Sequence, residues 1–192
     1  MLFLASTSPR RRELMQQVGW PFEVVKISVD ETPLEDESPS DYVARLAVAK
    51  AQAGLALVES GDTVLGADTT VVLDGEVLGK PADREEAFAM WSRMAGRVHQ
   101  VLTGVALARD GAVIHRVVVT EVHFRQMTRL DMEAYWASRE PADKAGGYGI
   151  QGRGALLVDR ISGSYSNVVG LPLAETAQLL TQFGYSVWMS PE

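Results

Sequence analysis

The chain has no cysteine among its 192 residues, which removes disulfides, thiol nucleophiles and cysteine-held zinc from consideration. Histidine is nearly as scarce. His99, His115 and His123 lie far apart in strand-like segments and share no metal-ligand spacing. No apolar run is long enough to span a membrane, and no basic segment followed by an apolar core opens the chain, so the expected location is cytoplasmic. Basic residues are outnumbered, 18 against 25 acidic, for a formal net charge of −7. A chain of that charge is poorly suited to holding a nucleic-acid polymer through its phosphates. Internal repeats, low-complexity tracts and convincing linkers are also absent. What is present is an ordinary composition, 46% apolar and 22% charged, which supports one sizeable core and a single domain over residues 1–192.

Periodicity and caps predict helices over Pro9–Val18, Pro39–Glu59, Arg84–Ala95, Arg129–Arg139 and Leu171–Phe183. Ser38, Asp83 and Thr128 stand at N-cap positions, the last two with an acidic residue three places on. Strands are predicted over Leu2–Ala5, Phe22–Ser28, Thr63–Leu73, Glu76–Gly79, His99–Arg109, Ala112–Arg125, Ala155–Ile161 and Ser186–Met189. Asp74-Gly75 and Asp110-Gly111 are two-residue hairpin turns. Helices interleaved with hairpins imply an α/β fold on a mixed sheet.

Ser6-Thr-Ser-Pro-Arg-Arg-Arg12 is the most informative stretch. Ser8 suits an N-cap and Pro9 the first helical position. Three arginines then crowd a first turn whose dipole favours anions. A bound anion would reverse that penalty, because free N–H groups, hydroxyls and guanidiniums would all face it. Given the acidic net charge, a small phosphorylated ligand fits better than a polymer.

Two resemblances to nucleotide motifs fail on context. Gly147-Tyr-Gly-Ile-Gln-Gly152 matches G-x-G-x-x-G but leads into a strand-like run, not a helix. Gly75–Lys80 resembles a P-loop but is one residue short and lacks the Ser or Thr after lysine. Other residues are misfits in their surroundings. Asp68 lies in the apolar run Val64–Leu73, where an unpartnered carboxylate costs several kcal/mol. Backbone amides, a cation or a metal would each satisfy it. Lys50 falls on the apolar stripe of Val43, Leu46, Ala53 and Leu57, and either snorkels to water or aims an ammonium at phosphate. The hairpin register extends from Leu73 opposite Glu76 to Thr69 opposite Lys80, which puts Asp68 on the other face unless a bulge at Gly66 or Gly79 intervenes. The acidic loop Asp30–Asp41 offers oxygen ligands for magnesium or manganese, and equally fits a solvated loop. Gln151, in a glycine-rich segment, carries both donor and acceptor and so suits reading a base edge.

Leu4-Ala-Ser-Thr-Ser-Pro-Arg-Arg-Arg12, Gly66-Ala-Asp-Thr69 with Gly79-Lys-Pro81, and Asp143–Gly152 with Val169-Gly-Leu-Pro172 together resemble the Maf family of nucleoside triphosphate pyrophosphatases. The resemblance runs nearly end to end. It implies an α/β fold with a long curved mixed sheet and flanking helices, in two lobes around a cleft, similar to the inosine triphosphate pyrophosphatases. A homodimer is implied as well. The implied reaction is attack of water on the α-phosphate of a nucleoside triphosphate, with a divalent cation (Mg, Mn or Co). Asp68 matches the family's proton acceptor, and Ser6, Ser8, Arg11, Lys50 and Lys80 match its phosphate-binding positions. Glu31 matches an acidic position near the metal, with Asp68 as a second ligand. Arg10, Thr69 and Gln151 match the specificity positions of the dTTP/UTP branch, extending to modified pyrimidine nucleotides. Other readings of the resemblance are hydrolysis of 7-methyl-GTP or non-standard purine triphosphates, and a nucleotide-sensing regulator of cell division.

Overall fold

The computed structural model describes residues 1–188. In chain order it comprises β1 (Leu2–Leu4), α1 (Pro9–Gln17), β2 (Glu23–Val24), α2 (Pro39–Leu55), β3 (Thr63–Leu73), β4 (Glu76–Leu78) and α3 (Arg84–Met94). There follow β5 (Val98–Arg109), β6 (Ala112–Phe124), α4 (Arg129–Ala137), β7 (Val158–Ser162), α5 (Tyr165–Val169) and α6 (Leu173–Gln182). Between α4 and β7 the chain forms three short 3-10 turns, at Glu140–Asp143, Ala145–Gly147 and Arg153–Leu157. The seven strands make one sheet in the order β2-β1-β3-β5-β6-β7, with β4 paired to β3. It is mixed, as expected. β1 runs parallel to both β2 and β3, whereas β4 is antiparallel to β3 and β7 to β6.

Local chemistry explains most boundaries. Thr63–Leu73 is strand over the predicted span because it is rich in apolar and β-branched residues and buried at all but one residue. Both hairpins turn through Asp-Gly pairs with positive φ at each residue, 54° and 83° at Asp74-Gly75 and 47° and 84° at Asp110-Gly111. That twist matches the strands they join. Asp83 accepts a hydrogen bond from the Glu86 N–H, and Thr128 and Asp131 form a reciprocal capping box.

The departures are equally physical. α2 stops at Leu55, four residues before the predicted end, so Leu57 lies beyond the helix and is exposed instead of continuing the stripe. β2 keeps only Glu23–Val24 of the span Phe22–Ser28. The run Ala155–Ile161 begins as a 3-10 turn, and extended backbone starts at Val158. The five-residue α5 was not predicted. Ser186–Trp188 form no strand, and Met189 lies outside the described residues.

Backbone contacts group the chain into two compact units. The first holds Met1–Asp68, Thr103–Val118 and the chain from Gly170; the second holds Thr69–Leu102 and Val119–Val169. In the first, α2 lies directly against the sheet. A Cβ on Gly66 would fall on the Ala47 carbonyl and the Ala51 amide, and one on Gly104 on the Val43 carbonyl. The two glycines thus admit the helix backbone to van der Waals range of β3 and β5. In the second, Trp91 anchors an aromatic core, 5.3 Å from Tyr135 and 5.6 Å from Phe88 between ring centroids. His99 is buried there with its Nε2 2.7 Å from the Tyr148 hydroxyl, and burial pushes its pKa down to about 4.

The close approach at Gly66 predicts an outcome. Gly66→Ala is expected to lose about 1–3 kcal/mol of stability in urea unfolding, because the new methyl must push α2 off the sheet. Gly79→Ala, where a Cβ meets nothing within 4 Å, should unfold like the parent. Equal stability for the two variants would contradict the packing argument.

Candidate functional site

The first unit assembles a charged cluster around Lys50. Gly66 and Asp68 are two residues apart on one strand, so they share a face. Ala47, Lys50 and Ala51 likewise share the side of α2 that rests on it. Close approach at Gly66 therefore delivers the Lys50 ammonium to the Asp68 carboxylate at 2.7 Å. Both side chains are largely buried, 10% and 12% exposed. The same Nζ lies 2.7 Å from Oε1 of Glu31, which is half exposed. The ammonium points inward, as one of the two sequence alternatives for Lys50 has it. It does not snorkel, and its first partners are carboxylates.

The acidic loop sorts into separate tasks. Glu37 takes both nitrogens of an Arg45 fork, Nε and Nη2, at 2.5 and 2.7 Å. Asp30 accepts from the Thr32 amide, and Asp41 serves the start of α2 through Ser38. Tyr42 donates to the Glu31 carbonyl at 2.9 Å, and Arg45 to the Thr32 carbonyl at 3.2 Å. α2 thus pins the loop from below and carries Glu31 to Lys50. Tyr42 and Arg45 had no signature in the sequence, since half-buried polar residues on a helix are common.

The Ser-Pro-Arg turn contributes from β1. The Ala5 amide donates to Leu65, and the chain then turns into α1. The buried Ser6 Oγ accepts from the Ser8 amide at 3.2 Å and from Arg11 Nη1 at 3.3 Å. Arg11 Nε is fixed on the Gly170 carbonyl at 2.8 Å. Burial lowers the pKa of this guanidinium, Asp68 and Glu31 oppose that effect, and Arg10 adds to it. Ser8 occupies the N-cap position, but its side chain makes no capping bond. This corrects the simple cap reading: the hydroxyl is not consumed in holding the helix. Arg10 is half-buried, and Arg12 is exposed.

Ser6, Arg11, Glu31, Lys50 and Asp68 are therefore gathered in one unit. Thr69, Lys80 and Gln151 belong to the other. Thr69 is half-buried in β3, while Lys80 and Gln151 are exposed in loops. The ladder pairs Leu73 with Glu76 as expected but ends at Val71 opposite Leu78. The anticipated Thr69–Lys80 pair is not formed, because the Gly79 carbonyl turns instead to the Gly146 amide at 2.9 Å. Gly66 serves close approach of α2 to β3.

Among the described residues, no group of three or more His, Asp or Glu side chains converges as a self-sufficient metal site. Glu31 and Asp68 nonetheless present carboxylate oxygens to one point, each 2.7 Å from Lys50 Nζ. Two hard oxygen donors fit a divalent cation that completes its shell with phosphate oxygens and water. The donor set is compatible with Mg, Mn or Co held together with a phosphorylated substrate.

A sequence model of the Maf-like proteins matches residues 1–183. The chain belongs to the Maf family. Relatives in that family extend over nearly the whole length. A protein of Symbiobacterium thermophilum is 54% identical over 187 residues, covering 97% of this chain and 96% of its own, and is named dTTP/UTP pyrophosphatase. A Salmonella typhimurium protein of the same name is 54% identical over 182 residues, covering 95% and 92%. Among solved structures, a HAM1 protein from Coxiella burnetii superposes with a TM-score of 0.52 over 94% of this Maf chain and 98% of its own. At 16% identity, that likeness is one of fold.

Proposed function

We propose that the chain hydrolyses dTTP and UTP, and modified pyrimidine triphosphates of the same shape, to the monophosphate and pyrophosphate. The observation that carries this is the buried Lys50 ammonium shared by Asp68 and Glu31, beside Arg11 and Ser6. Support for the pyrimidine branch comes from the near-full-length relatives named dTTP/UTP pyrophosphatase. In this reading Asp68 accepts the proton of a water that attacks the α-phosphorus. The bridging Pα–O bond breaks, and its electron pair leaves with pyrophosphate. Lys50 holds the Asp68 carboxylate in one orientation. Arg11, Ser6, Ser8, Lys50 and Lys80 bind phosphate oxygens, and cations there stabilise charge that grows in the transition state. Glu31 and Asp68 would hold a divalent cation, which supplies charge neutralisation on the phosphates when bound. Arg10, Thr69 and Gln151 select the base. The reading includes a cytoplasmic homodimer that acts on free nucleotides, not on a nucleic-acid polymer or at a membrane.

A substrate panel tests it. Pyrophosphate release is measured from dTTP, UTP, 7-methyl-GTP and ITP with Mg, Mn or Co. The highest kcat/KM is expected for dTTP and UTP. Preference for 7-methyl-GTP or ITP would move the chain to another branch, and no release with any metal would favour a nucleotide sensor. Gln151→Ala is expected to flatten the preference among bases, and an unchanged order would reject its part in base selection.

A further inference from the structure

The segment that carries Gln151 is tied to a single carboxylate. Glu140 Oε1 accepts from the Tyr135 hydroxyl at 2.8 Å and from the Gly154 amide at 3.0 Å, and Oε2 accepts from the Arg153 amide at 2.7 Å. The Tyr135 oxygen in turn accepts from the Gly149 amide at 3.1 Å. Amides on both sides of Gln151 therefore converge, directly or through one hydroxyl, on the same side chain. A Cβ on Gly152 would fall on that carboxylate, so the backbone passes against it with no room for a side chain. Glu140 is itself fixed: its carbonyl accepts from Lys144 Nζ at 2.6 Å, and its amide donates to Ser138 Oγ at 3.3 Å. Although burial opposes it, these donors hold the Glu140 carboxyl below the usual glutamate range. It is therefore an anion at neutral pH and an acceptor on every oxygen it presents.

We propose that Glu140 is a positioning residue for substrate selection, fixing the backbone on both sides of Gln151 so that its amide meets a pyrimidine edge in one orientation. The inference rests on the base-selecting role of Gln151 proposed above. A side-chain amide that discriminates by donor and acceptor needs its backbone held, because a mispointed amide offers the wrong sequence of groups. Flanking glycines give this segment little rigidity of its own. The carboxylate replaces it.

The test uses Glu140→Gln, which keeps size and shape but turns an N–H toward a backbone N–H. Steady-state kcat/KM is measured for dTTP and dCTP, whose bases differ at the edge a glutamine reads. The dTTP/dCTP ratio is expected to narrow about tenfold, carried by KM for dTTP, with kcat little changed. Tyr135→Phe removes the link to Gly149 and should narrow the ratio in the same direction by a smaller factor. It carries the test if Glu140→Gln does not fold. Adding Glu140→Gln to Gln151→Ala should narrow the ratio no further. A parental ratio in the folded Glu140 variant, or an equal fall in kcat for both nucleotides, overturns the proposal while leaving Gln151 in place. A parental ratio in Gln151→Ala removes the reading on which it rests, and absence of hydrolysis by the parent removes both.

Discussion

Asp68→Asn is expected to lower kcat for dTTP by about 10²–10⁴-fold, the contribution of a positioned general base, while nucleotide affinity changes little. The asparagine is isosteric, and its carbonyl still accepts from the Lys50 ammonium that lies 2.7 Å from Oδ1. The geometry is therefore kept, at a cost in stability because the buried Lys50 ammonium loses its counter-charge. What is lost is the capacity to take a proton. Asp68 also stands beside Glu31 at the point suited to a cation, so the variant should be assayed across a range of Mg and Mn. If the carboxylate served only to hold the metal, a high concentration would restore turnover. The base assignment predicts that it does not. Turnover within a few-fold of the parent would sink it.

Lys50→Met is expected to reduce both stability and turnover, for separable reasons. The pair with Asp68 is nearly dry, with 10% and 12% of the side chains exposed. Removing one partner of such a pair leaves an uncompensated buried charge, a loss of about 3–5 kcal/mol. Glu31 adds little to that figure because its side chain is 55% exposed and water screens it. The double variant Lys50→Met/Asp68→Asn removes the stranded charge and should recover most of the stability in urea unfolding, with activity still absent. Failure of the double variant to regain stability would show that the pair is not the electrostatic unit described here. A parental kcat/KM in Lys50→Met would remove the lysine from the site.

How far the sequence disclosed this arrangement depends on the range of the interaction. β3 and the two Asp-Gly hairpins were legible because a run of apolar and β-branched residues and turn chemistry act within a few residues. Capped helix starts at Pro39, Arg84 and Arg129 were legible for the same reason. Ends were less so: α2 stops at Leu55 while its pattern runs on to Leu57, because tertiary contact and not periodicity decides where it leaves the sheet. The 3-10 turns between Glu140 and Leu157 hold a shape imposed by one carboxylate on distant amides, which no local pattern encodes. The site divides in the same way. Lys50 and Asp68 each stood out as a charge in apolar company, yet nothing local told that each was the other's answer. That follows from Gly66, whose missing side chain lets α2 settle on β3. The expected Thr69–Lys80 pair failed because the ladder yields at Gly79 to a bond with Gly146, a partner 67 residues away in sequence (146 − 79).

The central claim is that water attacks the α-phosphorus with Asp68 as its base, so that pyrophosphate leaves intact. Hydrolysis of dTTP in ¹⁸O-labelled water, with both products examined by mass spectrometry, tests it most directly. The account predicts one ¹⁸O in dTMP and unlabelled pyrophosphate, with Asp68→Asn forming neither at an appreciable rate. Label in pyrophosphate, or release of orthophosphate with dTDP, would place the attack at another phosphorus and contradict the account.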